Sequence, residues 1–474
     1  MLDIIIYNGT VITMEGEGVG AIPNGAVGIK GNLIEVVGET SEVLKDYKAH
    51  RYVDAHRKVV MPGLIDAHIH SGIALLRGLS QDTDNWMEKG LWPFHKVLTH
   101  EDRVAGSLVN IIEGLKAGTT TFCDYDDPMR EIVKNHAMLG TRARVTEMVN
   151  ELPDDLSDVK VGELYTFDPA IGQRKLKENI ALLEEWHGKE NGRITCLLGP
   201  QGPDMMSKEL LLEVKELANK YDTNIHMHVA QGDREINQMV KRYGKRSIQF
   251  LEELNYLDER LMAVHLTEAT REETHVLGRS GAAMILCSGS IGIIDGIVPP
   301  AAEFLEVSNR LALGSDQAPG NNCNNMFNEM KFTAILNKCK VKDPRVFPSW
   351  KVLRMATIDS AKAIGLGHEI GSLRKGKKAD VIIVDFDSPN LVPIIQEPIR
   401  NIIPNLIYSA KGSEVETVII DGQFVMENRV VLTVNEKQAV RKAHEAAAEL
   451  AERAKASFHK MDTPIANMMK DGYL

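Results

Sequence analysis

Two histidines one residue apart, His68 and His70, close the stretch Met61-Pro62-Gly63-Leu64-Ile65-Asp66-Ala67-His68-Ile69-His70. On a β-strand, residues two apart project from the same face, so both imidazoles would stand side by side at the strand's end. Imidazole is the commonest biological metal ligand, and such a pair is half of a first coordination shell. Alone, the pair fits packing as well as metal binding, and its partners must come from further along the chain. Asp124, Gln201, His228, His265 and Asp316 each close a later apolar run. Two more imidazoles and a carboxylate, each ending its own strand, would complete a site with His68 and His70. His226 shares a strand face with His228 and competes with it at this level.

The elements that must position these groups alternate. Residues 101–117 read as a helix and 118–124 as a strand. A helix over about 178–187 precedes a strand at 193–199, and another over 208–221 precedes one at 223–230. Further strands are expected at 262–266, 282–287 and 311–316. Strands alternating with helices of this length imply parallel strands joined by right-handed crossovers. The expected class is therefore α/β, a closed (β/α)8 TIM-like barrel with its active groups at the C-terminal strand ends. An open doubly wound sheet is the rival, but no GxGxxG or GxxxxGK[ST] loop follows a strand. Both ends of the chain carry short strands instead, at residues 2–11, 26–37, 51–60, 379–385 and 415–425. They imply a small β-sandwich domain built from both termini. The expected divisions are 1–60 and 370–433 for that domain, 61–369 for the barrel, and 434–474 for a C-terminal helical extension. The helix within that extension, at 435–460, reads as a solvated or oligomer-covering surface.

With 474 residues, 43% of them hydrophobic, the chain can bury a large core. A net charge of -11 argues against a nucleic-acid or anionic-membrane partner. No signal-peptide pattern and no uninterrupted apolar span is seen. Five widely spaced cysteines with no CxxC pair fit a reducing cytoplasm.

Read together, the runs VVMPGLIDAHIH, LLRG at 75–78, GTTTFCD, HMHVAQ at 226–231, AVH at 263–265, LGSD at 313–316 and LRMATIDSAKAIGLGHEIGSLRKGKKADVIIVD resemble the amidohydrolase superfamily. The resemblance is to its cytosine-deaminase-like branch, which includes guanine deaminase, methylthioadenosine/S-adenosylhomocysteine deaminase and the triazine hydrolases. The last run looks closest to the atrazine chlorohydrolase/triazine hydrolase group. The resemblance implies that His68, His70, His228 and Asp316 hold one divalent metal ion, zinc or iron, with His265 beside its water. The family motif puts the ligand three residues before Gln231, which selects His228 and leaves His226 as a core or supporting histidine. Residues 198–201 offer no lysine to carbamylate, so one metal is expected.

A divalent ion with an open position lowers the pKa of its water to roughly 7. The hydroxide would attack an electron-poor ring carbon, with Asp316 accepting the proton and His265 orienting the nucleophile. Family deaminases carry a glutamate at the position of Gln231, and glutamine cannot shuttle protons. Asp316 is then expected to carry all proton transfers, with Glu147 as the alternative acid. Trp86 and Leu91-Trp92-Pro93 resemble the methylthioadenosine/S-adenosylhomocysteine deaminases. Yet the ribose-binding glutamate of that group falls at His95, its arginine near Glu147 and its GPH histidine at Gln201. These departures rank a bare base or triazine above a nucleoside. Asp124 or Glu147 is expected to bind exocyclic amino groups, while Trp86, Trp92 and Phe94 either stack on a flat ring or pack on the barrel top. An Asn-rich loop (Asn321, Asn322, Asn324, Asn325) either approaches the substrate or is turn chemistry. The resulting expectation is an aminohydrolase acting on a small nitrogen heterocycle, homodimeric or homotetrameric by family habit. The alternatives are dechlorination or dealkylamination of an s-triazine, and a catalytically silent binding protein.

Overall fold

The computed structural model describes residues 1–474 except Asp154, Ser157 and Asp158. Its centre is a ring of eight parallel strand positions: Leu64–His70, Thr119–Asp126, Arg142–Val149, Ile194–Cys196 continued by Gly199–Pro200, Ile225–Val229, Leu261–His265, Ala283–Leu286, and Leu311–Leu313 continued by Asp316–Gln317. Each position pairs with the next. The fourth reaches the fifth through a Leu198–Ile225 bridge, and the eighth returns to the first through Asp316 opposite Ile69 and Gln317 opposite His70. Such strands are covered on both faces, which is why they read as unbroken apolar runs.

The chain closes this ring by close approach. A Cβ on Gly314 would lie 2.8–2.9 Å from the backbone and Cβ of His68, so only glycine lets the eighth strand meet the first. In the first strand, three steps from Asp66 to Ile69 oppose two on its neighbour, Phe122 to Asp124. That bulge re-aims the side chains beyond it. Ile65 and Ala67 pack with Cys123, Met262, Val264 and Ile285 in one buried cluster. His68 and His70, past the bulge, turn towards the site.

The terminal strands form one nine-stranded sheet. Its first strand, Leu2–Ile12, pairs antiparallel with Ala21–Lys30 and parallel with Ala49–Asp54 and Lys58–Pro62. Ile4, Ile6 and Val27 from the N-terminal part share a core with Val381, Ile383 and Ile419 from the C-terminal part. Three expected strands prove to be pairs. Residues 26–37 divide into Ala21–Lys30 and Leu33–Glu39 at Gly31 (φ 58°), and 415–425 into Val415–Ile420 and Gln423–Glu427 at Asp421 (φ 51°) and Gly422 (φ 77°). Asp-Gly at positive φ favours a two-residue hairpin turn, a local signal stronger than the apolar run around it. Residues 51–60 divide likewise into Ala49–Asp54 and Lys58–Pro62, about Arg57 (φ 58°).

The helix expected from about residue 178 begins at Pro169, capped by Asp168, whose side chain accepts from Ala170 N. The long C-terminal helix, Glu436–Lys460, has one buried stripe, Ala439, Ala443, Leu450, Ala454 and Ser457, and a charged outer face. Leu450 and Ala454 pack against Trp86, Leu91 and Phe94, so this helix braces the segment that roofs the barrel mouth. Among the described residues no helix is long and apolar enough to cross a membrane.

Candidate active site

At the C-terminal mouth of the barrel lies a cavity of about 610 Å³. His70 and His228 line its inner end, and His68, His265 and Asp316 lie behind them with no exposure. The metal-binding atoms of His68, His228 and His265 fall within 4.8 Å of one another, as do those of His68, His70 and Asp316. Asp316 Oδ1 is 3.5 Å from both His68 Nε2 and His70 Nε2. His265 (φ 78°), Asp316 (φ 60°) and Ala230 (φ 53°), next after the strand bearing His228, all sit in the left-handed backbone region. Such conformations cost energy in residues with a Cβ, and they persist where the surrounding fold over-determines them, often at functional sites.

Supporting contacts fix the rings. His228 Nδ1 donates to the Gln201 carbonyl at 2.8 Å, which leaves Nε2 for the centre of the cluster. His68 Nδ1 lies 2.9 Å from His226 Nε2, so His226 is fully buried beside His68 and buttresses it. Tyr125 packs beneath the imidazoles and donates to the Gly199 carbonyl. Ser290 Oγ donates to Asp316 Oδ2, leaving Oδ1 towards the histidines. Burial holds His68 and His228 well below the usual imidazole pKa, His226 down to about 3 and His265 to about 4. Neutral imidazole is the form that binds metal.

Whether these residues suit a metal can be tested on their own hydrogen bonds. His68 Nε2, both ring nitrogens of His265 and Asp316 Oδ1 are buried without a protein partner. A buried polar atom left unpaired costs about 1–3 kcal/mol, and here the orphans come together from three strands. Three or four imidazoles with one carboxylate are a suitable donor set for a divalent ion. The residues fit such an ion.

The outer end of the cavity is built differently. His95, Arg103, Asp126, Asp127, Glu147 and Asn150 line it. Arg103 donates to His95 Nε2 at 2.9 Å and lies 3.2 Å from Asp127 and 3.4 Å from Asp126. Glu147 Oε2 accepts from Met129 N at 2.8 Å, and burial followed by the nearby Asp127 charge pushes its pKa up to about 8. Trp86, Trp92 and Gln201 also line the cavity. Trp86 also packs on the C-terminal helix.

Asp124 does not reach the cavity. Its carboxylate accepts from Ser71 N and Ser71 Oγ and lies 3.0 Å from His136 Nε2, fully buried. Of the two residues expected to bind exocyclic amino groups, Asp124 or Glu147, only Glu147 lines the cavity, since Asp124 is committed to Ser71 and His136. Gln231 lines the cavity, and its backbone N donates to Glu235 Oε2, while Ala230 N donates to Oε1. Glu235 is thus engaged behind the loop and lies off the cavity wall. In the Asn-rich loop, Asn324 Nδ2 donates to the Asp316 carbonyl and Ser315 Oγ, Asn321 Nδ2 to the Ser315 carbonyl, and Asn325 caps the next helix. That loop props Asp316 from behind.

Sequence reading missed Arg103, Asn150 and the Arg234–Asp204 pair. His100 and Arg103, three apart on one helix, carried a signal that both face the same way. Asn150 and Asp204 carried none, because their places depend on loop paths.

The chain belongs to the amidohydrolase family, whose model matches residues 59–425. It is 35% identical over 458 residues to the 5'-deoxyadenosine deaminase of Methanococcoides burtonii, covering 96% of this chain and 100% of that one. It is 33% identical over 454 residues to the 5-methylthioadenosine/S-adenosylhomocysteine deaminase of Thermoanaerobacter pseudethanolicus, covering 95% and 100%. Among solved structures, an adenosine deaminase from Xanthomonas campestris with bound zinc superposes with a TM-score of 0.86 at 26% identity, covering 95% and 99% of the two chains. The zinc complex of atrazine chlorohydrolase from Arthrobacter aurescens TC1 gives 0.82 at 20% identity, covering 94% and 100%, a likeness of fold.

Proposed function

We propose that this protein is a metal-dependent aminohydrolase that releases ammonia from an amino-substituted nitrogen heterocycle. The observation that carries the reading is the convergence of unpartnered nitrogens and one unpartnered carboxylate oxygen at the inner end of the cavity. His68, His70, His228 and Asp316 would hold one ion, with His265 against it. Zinc is the proposed metal, supported by the donor set and by the zinc-bound neighbour. When bound, such an ion activates water for attack at neutral pH.

The chain's own groups do the rest. Asp316 Oδ1, the oxygen Ser290 leaves free, accepts the proton from the attacking water and passes it to the departing amine. His265, neutral and otherwise unpartnered, holds the nucleophile in line by a hydrogen bond. Gln231 orients the ring without moving a proton. Trp86, Leu91 and Trp92 cover the ring and exclude bulk water.

The proposed substrate is a 6-aminopurine nucleoside, supported by the names of relatives at 33–35% identity and by a cavity of about 610 Å³, which suits a ligand larger than a bare base. This reading sets aside the preference for a bare base or triazine. The sugar contacts must then differ from those of the deaminases considered above, since His95, Glu147 and Gln201 stand in their places. A cytoplasmic location is proposed from five unpaired cysteines. The test is ammonia and chloride release by zinc-loaded protein from adenosine, 5'-deoxyadenosine, adenine and atrazine. Ammonia from the nucleosides supports the reading; chloride from atrazine alone, or turnover of none, overturns it.

A further inference from the structure

One chain of hydrogen bonds in the cavity wall has a direction that can be read without ambiguity. Its first member is a backbone N–H, which only donates. Leu152 N donates to Asn150 Oδ1 at 2.9 Å, and Lys175 Nζ donates to the same oxygen at 3.0 Å. With its oxygen so fixed, Asn150 must turn its NH2 the other way, and Nδ2 meets the Gln201 side chain at 2.6 Å. The atom receiving that donor is Oε1. Gln201 Nε2 is therefore not the atom that Asn150 engages, and it belongs to a side chain that lines the cavity.

Asn150 is 5% exposed, whereas Gln201 is half-buried and lines the cavity. Gln201 also adjoins the reacting end, because its carbonyl takes the Nδ1 proton of His228. A carboxamide can in principle offer either its oxygen or its NH2 to a ligand. Here the backbone at Leu152 makes the choice, two residues removed from the ligand.

We propose that Asn150 is a positioning residue that locks Gln201 as a hydrogen-bond donor to the substrate, so that the site selects heterocycles presenting an unprotonated ring acceptor on that edge. This rests on the aminopurine reading above and adds the edge by which the ring is read. A ligand lacking the acceptor would leave that donor unpaired against it, the kind of mismatch by which sites reject near-isosteres.

Asn150→Asp tests the lock. A carboxylate only accepts, so it keeps the contacts from Leu152 N and Lys175 Nζ but repels Gln201 Oε1. The Gln201 amide must rotate to donate to it, which turns Oε1 towards the ring. The KM of adenosine and the competitive inhibition constants of its 1-, 3- and 7-deaza analogues, measured on zinc-loaded protein, read the effect. In the unsubstituted enzyme one analogue, the one lacking the acceptor, is expected to bind at least about tenfold more weakly than adenosine, which corresponds to about 1.4 kcal/mol. In N150D that ratio should collapse towards one, with zinc content unchanged and KM moving more than kcat. Gln201→Glu keeps the bond from Asn150 but removes the donor, and the same collapse is expected there if N150D fails to fold. A ratio that survives in either folded variant, or the absence of any weak analogue in the unsubstituted enzyme, overturns the proposal. Failure of the aminopurine reading is distinct: adenosine itself would not bind.

Discussion

The two ends of the cavity are held together by opposite means. At the inner end, five side chains from four strands meet as neutral or unpartnered groups, with burial pushing the imidazoles below their usual pKa and no internal hydrogen bond to satisfy Asp316 Oδ1. At the outer end, Arg103 ties His95, Asp126 and Asp127 together, and Asn150 occupies Gln201 Oε1. The inner end thus stores unsatisfied valence for an ion, whereas the outer end has spent most of its polar capacity on keeping its shape. Substitutions should accordingly cost chemistry at one end and selectivity at the other.

The sharpest way to break this contrast is His228→Ala. It removes a proposed ligand and its brace to Gln201 together. Loss of a residue that merely supports a ligand costs 10–100-fold in metal affinity or activity, so loss of the ligand itself should exceed about 100-fold, with the ion leaving as well. Elemental analysis beside ammonia release checks both. Full metal content in the variant would mean that His228 is no ligand. Next in size is His226→Phe, which keeps volume but removes the 2.9 Å contact to His68 Nδ1. A fall of about 10–100-fold in zinc affinity, measured by competition with a chelating dye, is expected, with the purine selectivity ratios unmoved.

Those two histidines also mark how far sequence carries. His68, His70, His228, His265 and Asp316 were legible because the signal is periodic and each group ends an apolar run; strand geometry then brings them together whatever the loops do. The bulge between Asp66 and Ile69 was invisible, since it depends on the neighbouring strand's register. Asp124 was placed in the site for a related reason: a carboxylate at a strand end has two faces to choose from, and here Ser71 and His136 hold it on the face turned to the helices. Hairpins at Gly31 and Gly422 were written in the sequence as local turn chemistry and were passed over in favour of longer apolar runs. The outer end was the least legible, because Arg103 reaches His95 and Asp127, and Asn150 reaches Gln201, only through tertiary packing.

Between the two ends stands the roof, and Leu450→Ala probes it. Leu450 is 2% exposed and packs with Trp86 and Leu91. Truncating a buried leucine costs about 2–5 kcal/mol. Chemical denaturation should record that loss, and KM should rise with little change in zinc content, since the roof lines the cavity and is not part of the histidine–aspartate cluster. An unchanged KM would sever the C-terminal helix from the site.

The smallest effect expected is on the pH dependence of stability, and it distinguishes the ends by sign. Glu147 keeps its proton in the folded protein until about pH 8, against an ordinary value of 4.5, chiefly because it is buried. The unfolded chain releases that proton near 4.5, so the folded state binds more protons between the two values and stability falls as pH rises from about 4.5 to 8. Glu147→Gln cannot ionise and can still accept from Met129 N through its amide oxygen. Relative to the unsubstituted protein, the variant should therefore gain stability with rising pH, by roughly 1 kcal/mol or more at pH 9 over pH 5. Denaturant midpoints of both proteins at the two pH values measure the difference, from which the metal site's own titration cancels. If the gap between them stays constant, Glu147 is ionised throughout, and the outer end holds one more fixed negative charge than its hydrogen bonds imply.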